Sequence, residues 1–399
     1  MTSNNNIPQG YKQTELGIIP EDWEVVTIQH IADITTGNKN TQDAEESGKY
    51  PFYVRSQNVE RINSYCFDCE GVVTAGDGVG TGKIFHFVRG KFALHQRAYL
   101  IYNFRGLNPL YFYSYFSQNF YERINQMTAK SSVDSVRKEM IENMQILKPP
   151  LAEQKAIATA LSDVDALIAA LEKKIAKKKL IKQGAMQQLL TGKKRLPGFT
   201  EEWVEKKLGD VGFLLNGYAF KSETYHQTGK YKIITIANVK NGRLDTNDCN
   251  KISTFPSDIQ KHQVLKVGDI LISMTGNVGR VCMVNTNSCL QNQRVGLFEL
   301  QDKCYYDKNF LYTILNCKEF ETAMIDSGQG AAQSNISKKD IEDYIFLIPK
   351  NLNEQQAIAT ILSDMDKEIS DLEAKRDKCR LIKQGMMQKL LTGQIRLRY

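Results

Sequence analysis

The residues best placed to do chemistry in this chain are a glycine-rich octet, Gly76-Asp77-Gly78-Val79-Gly80-Thr81-Gly82-Lys83, and a Cys-x-x-Cys pair at Cys66 and Cys69. A nucleotide phosphate loop needs a glycine five residues before its Gly-Lys and a Ser or Thr after the lysine to hold magnesium. Asp77 and Ile84 stand at those places, so that chemistry is excluded. The dinucleotide spacing fails too, with Thr81 and Lys83 at the third-glycine positions. The cysteine pair has zinc-knuckle spacing, but no second pair follows to complete four ligands, although His86 and His95 lie in the same half. No metal site is expected, and eight scattered cysteines read as reduced thiols. An Asn-Pro-Pro-aromatic methyltransferase motif, a Gly-x-Ser-x-Gly elbow, a His-Glu-x-x-His helix and a kinase set are all missing. The chain is therefore expected to be no enzyme.

What it offers instead is repetition. Residues 153–196 realign on 354–397 at a constant offset, and 28 of the 44 positions are identical. The flanking blocks repeat more faintly: Asp22-Trp23 answers Glu202-Trp203, Gly48-Lys49-Tyr50 answers Gly229-Lys230-Tyr231, and Gln96-Arg97 answers Gln293-Arg294. The second block carries an insertion of about twenty residues between Tyr231 and Gly276, read from the drifting offset. The organisation is A-B-A′-B′: blocks at 1–150 and 196–351, and near-identical segments at 151–195 and 352–399.

Each A block mixes short β-rich runs with Gly and Asn turns and one aromatic helical stretch, Asn108 to Ile124 or Lys308 to Met324, which implies an α+β domain. In B, Ile157, Leu161, Val164, Ile168, Leu171 and Ile175 step 4-3-4-3-4, and Ile358, Leu362, Met365, Ile369 and Leu372 keep the same register. That is a coiled-coil seam. Pro149-Pro150 marks its start, Gly192 and Gly393 its stops, and ~39 helical residues make a rod of about 58 Å. Two copies in one chain can pair with each other. The lysine cluster from Lys173 to Lys182 reads as a solvated helix face or as a phosphate or partner contact.

The net charge of +7 is confined to the B segments, and the A blocks are near neutral. Any nucleic-acid contact must then use local surfaces. Lys83 and Arg280 sit in glycine-rich turns that are either plain β-turns or places where backbone approaches a phosphate closely. Arg and Gln can bond bidentately to G and A edges, which nominates Gln96, Arg97, Gln293 and Arg294; the competing reading is a buried strand end salt-bridged to the fold. Arg55 and Gln57, against Ile236 and Asn238 in the second block, differ between the halves and so could discriminate bases. Lys138 and Lys338 are candidate phosphate contacts. The polar N-terminus and the absence of an apolar run of ~18 residues suggest a cytoplasmic, non-membrane protein.

Two variable blocks, each followed by a helix that opens Glu-Gln-x-Ala-Ile-Ala-Thr and closes with Leu-Ile-Lys-Gln-Gly to Leu-Leu-Thr-Gly, resemble the specificity subunit of bacterial type I restriction-modification systems over nearly the whole chain. The resemblance implies that A and A′ are target recognition domains, each reading half of a split, asymmetric site in double-stranded DNA. It implies helices paired antiparallel as a spacer that docks two methyltransferase subunits, with restriction and motor subunits joining them. S-adenosylmethionine and ATP with magnesium would sit on those partners, with no cofactor in this chain. The alternative from the residues alone is a non-DNA scaffold, two ligand-binding modules of lectin-like or peptide-binding type spaced by a coiled coil.

Overall fold

The computed structural model describes residues 7–78, 80–127, 135–328 and 335–397. The chain divides into two compact units, residues 1–173 with 373–399, and residues 174–372. This cuts across the four blocks expected from the sequence. The long helices run Leu151–Leu189 and Leu352–Leu390, close to the expected edges. They are not separate domains, however: each gives its first part to the unit of the block before it and its last part to the other unit.

In the first unit, six strands order as Asp33–Thr36, Ala98–Tyr102, Phe67–Ala75, Phe85–Leu94, Tyr50–Tyr53 and Glu60–Ile62. Neighbours are antiparallel except Tyr50–Tyr53 beside Phe85–Leu94. The helix Pro109–Met127 buries Phe112, Phe116, Phe120 and Ile124, spaced by four as one face of a helix requires. Its rings stack on one another and meet Phe85 edge-on. Glu24–Thr27 pairs with Gln145–Lys148, which ties the two ends of the block together.

The second unit repeats this plan with two interruptions. The counterpart of the ten-residue strand Phe85–Leu94 is split into Val281–Met283 and Cys289–Gln291, so the sheet becomes two four-stranded sheets. The inserted residues supply the hairpin Val239–Lys240 with Arg243–Leu244 and the strand Val264–Leu265. The single helix expected from Lys308 to Met324 is broken into Lys308–Leu315 and Lys318–Ser327. Cys317 leaves the helical conformation and its sulfur accepts the Phe320 N–H at 3.4 Å, starting the second helix as its cap.

The Glu-Gln pair that opens each long helix is entirely buried. Gln154 bonds the Pro149 carbonyl and the Asn108 N–H, and Gln355 does the same with Pro349 and Asp307. Glu153 accepts two N–H groups of Arg396 and the Trp23 indole N–H at 3.0 Å. Glu354 accepts two from Arg195. Each arginine lies just past the end of the other long helix and over a tryptophan, Trp23 or Trp203. The hydrogen bonds to Glu153 raise the Arg396 guanidinium above its already high ordinary pKa. Gly192 and Gly393 end the helices at φ of +68° and +72°, the left-handed stop that glycine permits.

Within each unit the two helix segments run antiparallel. Glu172 pairs with Arg380 and Asp165 with Lys383 in the first unit; Lys178 pairs with Glu368 and Lys182 with Asp366 in the second. Part of the lysine cluster therefore serves cross-helix ion pairs, a role outside both readings of it. The seam also departs from a continuous coiled coil. Ile157 and Leu161 join the first globular core beside Leu390 and Leu391, and Ile358 and Leu362 join the second beside Leu189 and Leu190. Leu171, Ile175 and Ile369 are buried, while Val164, Ile168, Met365 and Leu372 are half-buried. Near the helix starts the aromatic cores offer more apolar area than a single facing helix, and the stripe packs where burial is greatest.

Arg396→Ala should cost about 3 kcal/mol, because it strands a fully buried carboxylate. Adding Glu153→Gln should recover at least about 1 kcal/mol of that loss. Urea midpoints of the wild type, the two single variants and the double variant check it, and additive losses would mean that the two groups are not coupled.

Candidate nucleic-acid interface

Three connections meet at one surface in each unit, held by the same pattern of backbone hydrogen bonds. In the first, the turn His95–Arg97 between strands receives the segment at Lys39, the Gly76 N–H donates to the Arg97 carbonyl at 2.9 Å, and the Val136 N–H donates to the Gly76 carbonyl at 2.7 Å. In the second, the turn Asn292–Arg294 receives Tyr218, the Met274 N–H donates to the Arg294 carbonyl at 3.1 Å, and the Ile336 N–H donates to the Met274 carbonyl at 3.0 Å. Isolated bridges pair Asp77 with Ser135 and Thr275 with Asn335. The strand that ends at Tyr53 or Ile234 delivers the next residues, Arg55 and Gln57 or Ile236 and Asn238, to the same place through its carbonyl on His95 or Asn292. Main-chain bonds thus fix the frame, and the side chains on it are free to differ.

They do differ. In the first unit the Asp77 carboxylate bridges two guanidiniums, Oδ1 to Arg55 Nη1 at 2.6 Å and Oδ2 to Arg97 Nη1 at 3.0 Å. Partial burial pushes this carboxyl up, but the hydrogen bonds and charges of Arg55 and Arg97 outweigh it and hold its pKa below the ordinary aspartate value. His95 is buried beneath, its Nδ1 accepting the Arg97 N–H at 3.0 Å. Desolvation, with Arg55 and Arg97 adding to it and Asp77 and Asp43 opposing, lowers its pKa. Gln96 and Gln57 are exposed. A cleft of about 310 Å³ opens here, lined by Thr36, Asp77, Gln96, Arg97, Tyr99 and Val136 among others.

In the second unit Thr275 replaces Asp77 on the frame and Ile236 replaces Arg55. Gln293 and Arg294 are exposed, and among the described residues the Arg294 guanidinium has no ion-pair partner. The Gln-Arg pairs are thus exposed turns in both units, so the burial in the competing reading does not hold, while its salt bridge to the fold is present at Arg97 and has no counterpart at Arg294 among the described residues. Asn238 is the correction among the candidates. It is buried, its Oδ1 accepts from Thr235 N and Oγ1, and its Nδ2 donates to the Asp245 carbonyl, so it builds its own turn and has no edge left for a base.

The glycine-rich turns lie against the helix of their block. Lys83 sits 4.6 Å from the Tyr121 ring centroid, and Arg280 stands 3.9 Å from Glu321, the equivalent helix position. Of the octet, Val79 lies outside the described residues. Lys138 and Lys338 are exposed on the short helices Lys138–Glu142 and Lys338–Glu342, each paired with the glutamate four residues on. Cys66 and Cys69 are half-buried thiols whose pKa values are raised by burial, and no cluster of three ligating side chains forms among the described residues.

Sequence reasoning missed Asp77 and His95 as site residues. Both lie in segments already singled out, but neither recurs in the second block, and a search for what the halves share passes over what they do not.

Surfaces of common backbone and unlike side chains recur once in each unit, so the chain is a twofold repeat of one domain plan. Residues 20–181 and 200–378 each match the family model of the type I restriction modification DNA specificity domain, and the chain belongs to that family. It is 29% identical, over 95% of its length and 94% of the relative's, to the type I restriction enzyme MjaVIII specificity subunit of Methanocaldococcus jannaschii. To the putative MjaX specificity subunit of the same organism it is 26% identical over 98% and 97% of the two chains. The S subunit of the type I restriction-modification system from M. genitalium shares the fold, with a TM-score of 0.66 over 98% of each chain at 16% identity.

Two glycines at positive φ, one in a glycine-rich turn and one within a strand, test how far the backbone depends on glycine. Gly279 holds φ +75°, and a Cβ there would lie 2.7 Å from Met324 Cβ; Gly90 holds φ +84° with open space around it. Gly279→Ala should cost about 3 kcal/mol, strain plus clash, and Gly90→Ala about 1 kcal/mol from strain alone. Denaturation midpoints of the two variants check the order.

Proposed function

We propose that this chain is the non-catalytic DNA-reading subunit of a type I restriction-modification complex, each unit's surface reading one half of a bipartite, asymmetric site. The observation that carries this reading is the pair of matched frames with different side chains: Arg55, Asp77 and Arg97 on one, Ile236, Thr275 and Arg294 on the other. A common frame fixes a common way of meeting the duplex, and unlike side chains on it read unlike bases. Lys138 and Lys338, at equal places beside the frames, serve as phosphate contacts.

The paired helices set the spacing of the two readers and carry the modification subunits. Their identical Leu-Ile-Lys-Gln-Gly segments support this, because Leu180 and Leu381 are 68% and 70% exposed, and an unpaired leucine repeated at equal positions fits a repeated partner. Restriction and motor subunits join that core. S-adenosylmethionine and ATP belong to those partners. The complex acts on cytoplasmic DNA, and among the described residues no helix is long and apolar enough to cross a membrane.

Methylome sequencing of a host expressing this chain with its modification subunits tests the reading. It should reveal one bipartite motif with a fixed spacer, and methylation without any motif would overturn the proposal. With the purified complex, Lys138→Ala and Lys338→Ala should each flatten the slope of log K against log salt by about 0.9 while leaving the motif unchanged.

A further inference from the structure

The two Gln-Arg turns are equal in sequence and backbone but not in electrostatics, and the difference is one carboxylate. Arg97 has an Nη held by Asp77, which in turn is held from the other side by Arg55. The turn below Arg97 is fixed as well, by its N–H on the buried His95 Nδ1. A guanidinium gripped at one nitrogen keeps its remaining N–H groups in a set plane, and two parallel donors from one edge are what guanine O6 and N7 accept. Arg294 has the same turn beneath it and Thr275 in place of the carboxylate. An arginine with no such grip adapts to whatever oxygen is near, and on DNA that is usually phosphate.

We propose that Asp77 is a positioning residue for base specificity: it orients Arg97 to read a guanine in the half-site of the first unit, while Arg294 anchors backbone in the other. This rests on the DNA-reading function above. The clamp also limits indiscriminate binding, because Asp77 neutralises one of the two cations that would otherwise both face phosphate. Geometry supports the role of Asp77 as an intermediary. It lines the cleft beside Gln96 and Arg97, and its side chain is itself only 24% exposed, with both oxygens engaged by arginines.

The test uses the complete complex with its modification subunits, titrated against duplexes carrying every single-base substitution in both half-sites and against unrelated DNA at several salt concentrations. Asp77→Asn should bind unrelated DNA more tightly, with the salt slope steeper by up to about 0.9. At the same time its preference at one base pair of the first half-site should fall about tenfold, with the second half-site read as before. Arg97→Ala should lose preference at that same base pair, and Asp77→Glu, which keeps the carboxylate, should restore part of it. Melting midpoints within about a degree of the wild type separate this from misfolding; if Asp77→Asn does not fold, the Arg97→Ala and Asp77→Glu profiles decide. Unchanged base preference in Asp77→Asn, or equal loss in both half-sites, overturns the positioning role. Absence of any sequence preference in the wild-type complex would instead overturn the DNA-reading function itself.

Discussion

A carboxylate that stays charged with no exposure to water needs a cation or N–H donors around it, and in this protein that requirement is placed at the first turn of each long helix. Glu153 and Glu354 are buried and are satisfied by Arg396 and Arg195, which lie past the far ends of the opposite helices. A buried pair contributes little net stability compared with an apolar replacement, but breaking one is costly, so its main effect is to forbid alternatives. Parallel pairing, or a shift of one helix by a turn, would leave both glutamates without partners. The ion pairs along each unit's helix segments agree with the same antiparallel register, but their acidic partners are open to solvent, so they could not impose it alone.

The strict likeness of the B segments and the divergence of the A blocks follow from that arrangement. A residue such as Leu161 or Leu362 must pack against a globular core, and the helix that carries it must also match its partner. Positions with two sets of neighbours tolerate few changes. The reading frames carry the opposite constraint. Their geometry is held by N–H to carbonyl bonds, so the side chains at 55, 77 and 97, or at 236, 275 and 294, can change without loosening the backbone. Rigid frames with replaceable side chains let one fold meet different sequences.

Much of this was legible before any coordinates. The repeat, the helix ends at Pro150 and at Gly192 and Gly393, the insertion and the two Gln-Arg turns all follow from spacing and residue type. The non-contiguous make-up of the units was not, because a 4-3 stripe says that a helix has a partner and nothing about which core its ends enter. Asn316-Cys317 carries neither Gly nor Pro, so the break in the second aromatic helix left no local mark; the cap formed by Cys317 is visible only when the chain is folded. Asn238 differs from Gln57 and so stands out in the sequence as a base reader, whereas an Asn that closes its own turn differs for a structural reason. In the sequence Asp77 stands out only as the residue that spoils a phosphate loop, since nothing in a linear sequence places it between Arg55 and Arg97.

The near-neutral A blocks, which at first sight argue against DNA, are what a selective reader needs. Each uncompensated cation that reaches a phosphate strengthens binding to every sequence equally, and the competing sequences vastly outnumber the right one. In these units most cations near the frames are matched, with Arg294 an exception among the described residues: Arg55 and Arg97 share Asp77, Lys138 and Lys338 each face a glutamate, and Arg280 stands near Glu321. Such exposed pairs hold together only weakly, so a duplex can displace a lysine from its glutamate at little cost. The Asp77 clamp differs because one carboxylate holds two guanidiniums and is itself partly shielded. It gives up its arginines less readily than a single surface pair does, which is what the positioning role proposed for Asp77 requires.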